Sequence, residues 1–160
     1  MSIWRNVASV AELQERARDT LIERLGIRFT QVGPDFLCAS MPVDSKTRQP
    51  HGVLHGGASV ALAETVGSTA ANLCVDAARE VCLGQEINAN HLRPIRAGVV
   101  TATARSVHRG RTSQVWQIEI RDEQQRLICI SRITMAVVAR QQPQARPGGE
   151  SALPGSERNE

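Results

Sequence analysis

Aromatic residues are scarce in this chain: two tryptophans, two phenylalanines and no tyrosine, 2% of 160 residues. Proteins that hold single-stranded nucleic acid stack the bases on aromatic side chains, so this composition argues against such a partner. A block of positive charge is missing too. The 19 basic residues, almost all arginine, are interleaved with 16 acids and leave a net charge of +3 with no polybasic run, a weak electrostatic footprint for nucleic acid. No C-x-x-C pair occurs. Cys38, Cys74, Cys82 and Cys129 are irregularly spaced, which excludes a zinc ribbon or a thioredoxin-like motif. Each lies among apolar neighbours, where a free thiol behaves as a small hydrophobe, so all four are expected to be reduced and buried. No apolar run reaches the roughly 18 residues of a spanning helix, so no membrane partner is expected. The opening stretch MSIWRNVASVAELQERARDT lacks the apolar core of a secretory signal. A cytoplasmic location is the expectation.

What is present suits one folded domain. An apolar content of 41% in 160 residues is enough for a real core. Val7, Val10, Leu13, Ala17, Leu21 and Leu25 recur every three or four residues, which predicts an amphipathic helix over 7–25, stopped by Gly26. Residues 27–32 and 36–41 flank Gly33-Pro34-Asp35 as the strands of a hairpin would. A proline- and glycine-punctuated loop, PVDSKTRQPHGVLHGG, follows. From Gly56 to about Asp76 the residues are small or aliphatic nearly all round, the mark of a buried helix of about five turns. Four strand-like runs come next, over 81–93, 99–108, 113–121 and 127–138. In the third, Val115, Ile118 and Ile120 are expected on one face, with Trp116 turned to the other. The short connections make the last three strands antiparallel neighbours. Residues 141–160, rich in Pro, Gly, Gln and Ser, are expected to be disordered, leaving a domain over 1–140. The class is α+β: an antiparallel sheet wrapped around one long central helix, with an apolar face and edges left over for a partner chain.

Glu64 is the one charged residue inside that apolar helix. An unpaired carboxylate is costly there, and burial raises its pKa toward the range of a general base. The bland alternative is a side chain that reaches solvent. Ser68, four residues on, shares its face and can hold a water beside it, or simply bond back to a carbonyl. His55-Gly56-Gly57 opens the helix, where free N–H groups suit an oxyanion. Gly56 and Glu64 are eight residues apart, about 12 Å along the axis. A single substrate carbonyl that touches both therefore points to two subunits, and to an active site at a dimer interface.

The strings QPHGVLHGGASVALAETVGS and GQEINANHLRP resemble the hot-dog thioesterases of the Arthrobacter-type 4-hydroxybenzoyl-CoA group. Within it, the similarity is to the PaaI-like branch containing 1,4-dihydroxy-2-naphthoyl-CoA hydrolases and enterobactin-proofreading thioesterases. The resemblance spans nearly all of 1–139. It implies hydrolysis of acyl- or aroyl-CoA to free acid and CoA, with Glu64 as nucleophile or as general base toward water. It further implies that the Gly56 N–H polarises the carbonyl, aided by Gln49 and His55, while Ser68 places the water. The same resemblance assigns CoA to Gly84, His91, Leu92, Arg93 and Pro94, and to His108, Arg109, Gly110, Arg111, Thr112 and Ser113. It also implies dimers that pair into homotetramers. His51 departs from the pattern, and with Asn72 it is expected to reshape the acyl pocket.

No cofactor or metal is expected. A thiol with a pKa of roughly 8.5 leaves without a strong acid, and His51 with His55 lacks a third ligand. Arg93, Arg96, Arg109 and Arg111 flank strand ends, where guanidinium groups suit the phosphates of CoA. Two other functions fit the same residues: a hot-dog dehydratase of 3-hydroxyacyl thioesters using His55 with Glu64, and a non-catalytic acyl-CoA-binding module.

Overall fold

The computed structural model describes residues 2–140; the tail expected to be disordered, 141–160, lies outside the described residues. Six strands form one antiparallel sheet: β1 (Arg28–Val32), β2 (Phe36–Pro42), β3 (Glu80–His91), β4 (Val99–Arg109), β5 (Ser113–Arg121) and β6 (Leu127–Ala139). Their order across the sheet is β1-β2-β4-β5-β6-β3. The long helix α3 (Gly56–Leu73) packs against β2, β3, β4, β5 and β6, so the sheet curls around it. This is the hot-dog architecture.

The helix is greasy because it is enclosed. Leu62, Ala63, Val66, Ala70 and Ala71 have no exposed surface, and they share one core with strand residues such as Trp116, Ile118 and Met135 that are equally buried. At Gly67 a Cβ would stand 2.7 Å from Ile133 Cγ2, so only glycine lets helix and sheet approach this closely. Among the described residues no helix is long and apolar enough to cross a membrane.

Three sequence expectations need correction. Residues 7–25 are not one helix but two short ones, α1 (Val10–Glu15) and α2 (Leu21–Arg24). Asp19 adopts a left-handed φ of 56°, and two start signals compete within the run. Ser9 and Glu12 form a capping box, and the Thr20 hydroxyl accepts from the Ile22 N–H. Each cap satisfies orphan donors at its own helix start, so the chain restarts at Thr20 rather than continuing. In β5 the buried face is Gln114, Trp116, Ile118 and Ile120, with Val115 on the outer face. Trp116 thus belongs with the isoleucines, stacked on Trp4 at 6.1 Å between ring centroids. The four cysteines are free, but Cys74 is only half-buried. Burial pushes the Cys82 thiol up to about 11.

Candidate active site

The loop from Val43 to His55 is tied down along its length. The buried Thr47 hydroxyl donates to the Pro42 carbonyl, and the Thr47 carbonyl accepts from the His55 N–H at 2.8 Å. The Leu54 N–H donates to Ile95 O at 2.7 Å. This holds the start of α3 fixed. His55 is the N-cap, with extended backbone (φ −70°, ψ 132°), and its Nδ1 accepts from the Gly57 N–H at 2.9 Å. Accepting there requires a lone pair on Nδ1, which leaves Nε2 as the ring position for a proton. The Gly56 N–H has no hydrogen-bond partner among the described residues. A Cβ on Gly56 would lie 2.9 Å from His91 Nε2, so the imidazole of His91 packs against the Cα of Gly56. Gln49, Gly56, His91, Leu92, Arg93 and Pro94 line one groove of about 340 Å³. The closeness of His91 to Gly56 is invisible in the sequence because 35 positions separate the two residues.

Glu64 is elsewhere. In the single chain it is exposed, which corrects the expectation of a buried carboxylate. It does not hang in solvent without support: its Oε1 lies 3.2 Å from where a Cβ of Gly84 would be, so the carboxylate rests on the edge strand β3. Glycine at 84 leaves room for it. Ser68 follows one turn later, half-buried. Asn72, another turn on, is bound on both sides. Its amide donates to Ser68 O (2.9 Å) and to Cys82 O (3.1 Å), and its Oδ1 accepts from the Cys82 N–H (2.9 Å). This side chain, expected to shape the acyl pocket, fastens α3 to β3 through its amide.

That contact defines the free edge of the sheet. The Val137 N–H donates to Thr112 O, away from β3, so Cys82 and Val137 form a non-hydrogen-bonded pair. The Cys82 N–H and C=O therefore point outward, and Asn72 takes both. By the same alternation Gly84 and, past the irregularity at Gly84/Glu86, Ile87 and Ala89 turn their main-chain groups outward, where no partner strand follows. Leu83, 53% exposed, lies on this edge. A long open edge is a template for another chain.

The residues implied for CoA fall into two groups. His91–Pro94 close β3 at one end. His108–Ser113 form the β4–β5 turn at the other, closed by the Gly110 N–H to Ser113 O bond at 2.8 Å, with Ser113 paired to Ala136 level with Leu83. Gly84 and His91 are seven residues apart on β3, about 20 Å, so one chain does not bring the groups together. Several guanidinium groups are already engaged: Arg93 donates to Leu127 O (2.7 Å), Arg96 to His51 O (3.2 Å) and Arg109 to Ile3 O (3.4 Å). Arg111 shares a groove with Arg109 and Gly110.

Comparison with known proteins matches this geometry. The family model described as thioesterase superfamily matches residues 51–129, from the loop into the start of β6. The 1,4-dihydroxy-2-naphthoyl-CoA hydrolase of Escherichia coli (strain K12) is 48% identical over 136 residues, covering 85% of this chain and 99% of that protein. The proofreading thioesterase EntH of Cronobacter turicensis is 46% identical over 136 residues, covering 85% and 98%. The crystal structure of a mutant of thioesterase PA1618 from Pseudomonas aeruginosa superposes with a TM-score of 0.85 at 49% identity, covering 86% of this chain and 99% of that one. With a hot-dog fold and relatives this similar over nearly their whole length, the chain belongs to the thioesterase superfamily and is a thioester hydrolase.

Proposed function

We propose that the enzyme hydrolyses acyl- or aroyl-CoA thioesters to free acid and CoA, in sites built jointly by two copies of the chain. The N–H of Gly56 in one copy, with Gln49 and His55 around it, receives the carbonyl oxygen and the charge that develops on it. Glu64 of the other copy supplies the nucleophile, as its own carboxylate oxygen or as a water it deprotonates, with Ser68 orienting that water. The thiolate of CoA leaves unaided. Its nucleotide end is bound by the two strand-end groups, His91–Pro94 from one chain and His108–Ser113 from the other. The name of the E. coli relative supports a CoA thioester as substrate.

One observation carries this reading. The Gly56 groove and the Glu64 carboxylate sit at opposite ends of the same unpaired edge strand, at His91 and at Gly84. A two-fold axis midway between Gly84 and His91, near Ile87 and Asn88, pairs that strand antiparallel with its copy. Each Gly84 end then meets the other chain's His91 end. Such isologous pairing closes after two chains; pairing of dimers into tetramers goes with it in this reading.

The direct test is Glu64→Gln. This removes the nucleophile or base while keeping shape, and kcat for thiol release from an acyl-CoA is expected to fall by about 10²–10⁴, with circular dichroism and oligomeric mass unchanged. Undiminished turnover rejects the assignment of Glu64.

A further inference from the structure

The turn that carries Gln49 is closed on itself. The Gln49 N–H donates to Val53 O and the Gly52 N–H to Gln49 O, both at 2.9 Å, and Gly52 has a left-handed φ of 74°. Its attachment to the rest of the molecule is thin. Among the described residues, one hydrogen bond joins 49–53 to an element outside the loop, from Arg96 Nη1 to His51 O at 3.2 Å. A Cβ on Gly52 would lie 3.5 Å from the same nitrogen, so the guanidinium rests on the left-handed residue of the turn. Arg96 belongs to the connection between β3 and β4, which holds the loop at both ends as well. Gly98 O accepts from the Val43 N–H at 2.9 Å, and Ile95 O accepts from the Leu54 N–H at 2.7 Å. Backbone fixes those ends; the tip depends on one side chain. The connection opens with Leu92, Arg93 and Pro94, which line the groove together with Gln49, Val53 and Gly56, whereas Arg96 is not part of that lining.

We propose that Arg96 is a positioning residue: its bond to His51 O sets where the Gln49 side chain stands beside the Gly56 N–H, and it does not grip a phosphate of CoA. The inference rests on the reading of Gln49 as a group at the thioester carbonyl. A hydrogen bond from a charged donor is stronger than one between neutral groups, which suits a tie that works alone. Displacing a group at the reacting centre by about 1 Å costs about a hundredfold in rate. With the guanidinium removed, the tip of the turn relaxes while β3, β4 and both loop ends keep their backbone bonds.

The test compares full-length Arg96→Ala and Arg96→Lys with the wild type on benzoyl-CoA and on S-benzoylpantetheine, which has the thioester and no phosphate. For Arg96→Ala, kcat is expected to fall about ten- to hundredfold on both esters, with KM changed by less than about threefold. Arg96→Lys keeps a charged donor and is expected to hold kcat within about threefold of wild type. Added to Gln49→Ala, Arg96→Ala is expected to lower kcat by less than a further twofold or so, because both changes act on one group. Unchanged kcat, a loss confined to benzoyl-CoA and carried by KM, or full additivity with Gln49→Ala each overturns the proposal and leaves hydrolysis standing. Undiminished kcat in Gln49→Ala alone overturns the reading of Gln49, and the proposal with it. Hydrogen exchange over 49–53 reads the clamp without turnover: Arg96→Ala is expected to speed it about tenfold, and unchanged exchange overturns the clamp. If the wild type releases no thiol from either ester, the hydrolytic reading fails for this acyl group and exchange decides the clamp.

Discussion

If each site takes Glu64 from one chain and Gly56 from another, two dead variants restore each other when mixed. Glu64→Gln supplies one parent. For the other, Gly56→Pro deletes the free N–H with little damage to the helix. Proline is favoured at the first helical position, and the preceding His55 is already extended at φ −70°, ψ 132°, as a residue before proline must be. The new Cβ meets the imidazole of His91, a side chain that can turn aside. Losing one oxyanion donor costs about 10²–10³ in kcat, or about 2.7–4 kcal/mol. After subunit exchange, random pairing makes half the dimers mixed. Each mixed dimer has one site with both groups intact and one with both lost, so about one quarter of wild-type activity returns. The assay is thiol release before and after exchange, with mixed dimers counted by native mass spectrometry on differently tagged parents. If mixed dimers form in the expected proportion and activity stays at the parental level, Gly56 and Glu64 do not work across an interface.

Other outcomes follow from the same contacts. Asn72→Ala strips the Cys82 N–H and C=O of their partners and unties β3 from α3; a loss of about 1–3 kcal/mol is expected in chemical denaturation, and an unchanged midpoint refutes the role given to the amide. Gly67→Val forces a side chain into the 2.7 Å gap to Ile133, which overpacking makes unfavourable by about 1–3 kcal/mol or more, read as a lower Tm. Burial holds the Cys82 thiol at about 11, so at pH 8 only about one molecule in a thousand carries the reactive thiolate; iodoacetamide on the folded protein should leave Cys82 unlabelled until denaturant is added, and rapid native labelling there contradicts the packing around it.

Much of this was legible from residue order alone. The five-turn helix, the hairpin around Gly33-Pro34-Asp35 and the succession of later strands came from short-range pattern, because helix and strand periods and turn chemistry act over a few residues. The break at Thr20 was also written there, as the sequence Thr20-Leu21-Ile22-Glu23, but the longer apolar repeat masked it. The face of Trp116 was misjudged because both Val115 and Trp116 are apolar, and only contact with Trp4 and the α3 side of the sheet decides which turns inward.

The composition and the motif around Glu64 determined the architecture and marked the carboxylate and the glycine proposed for the site, since an acid in a run of small apolar residues and a glycine pair opening a helix are local facts. Only the tertiary structure decided that Glu64 lies exposed on β3 while Gly56 lies under His91, at the other end of the same open edge. Those relations depend on strand order and register, which bring together residues far apart in the chain and set the acid and the amide on separate ends of one edge strand.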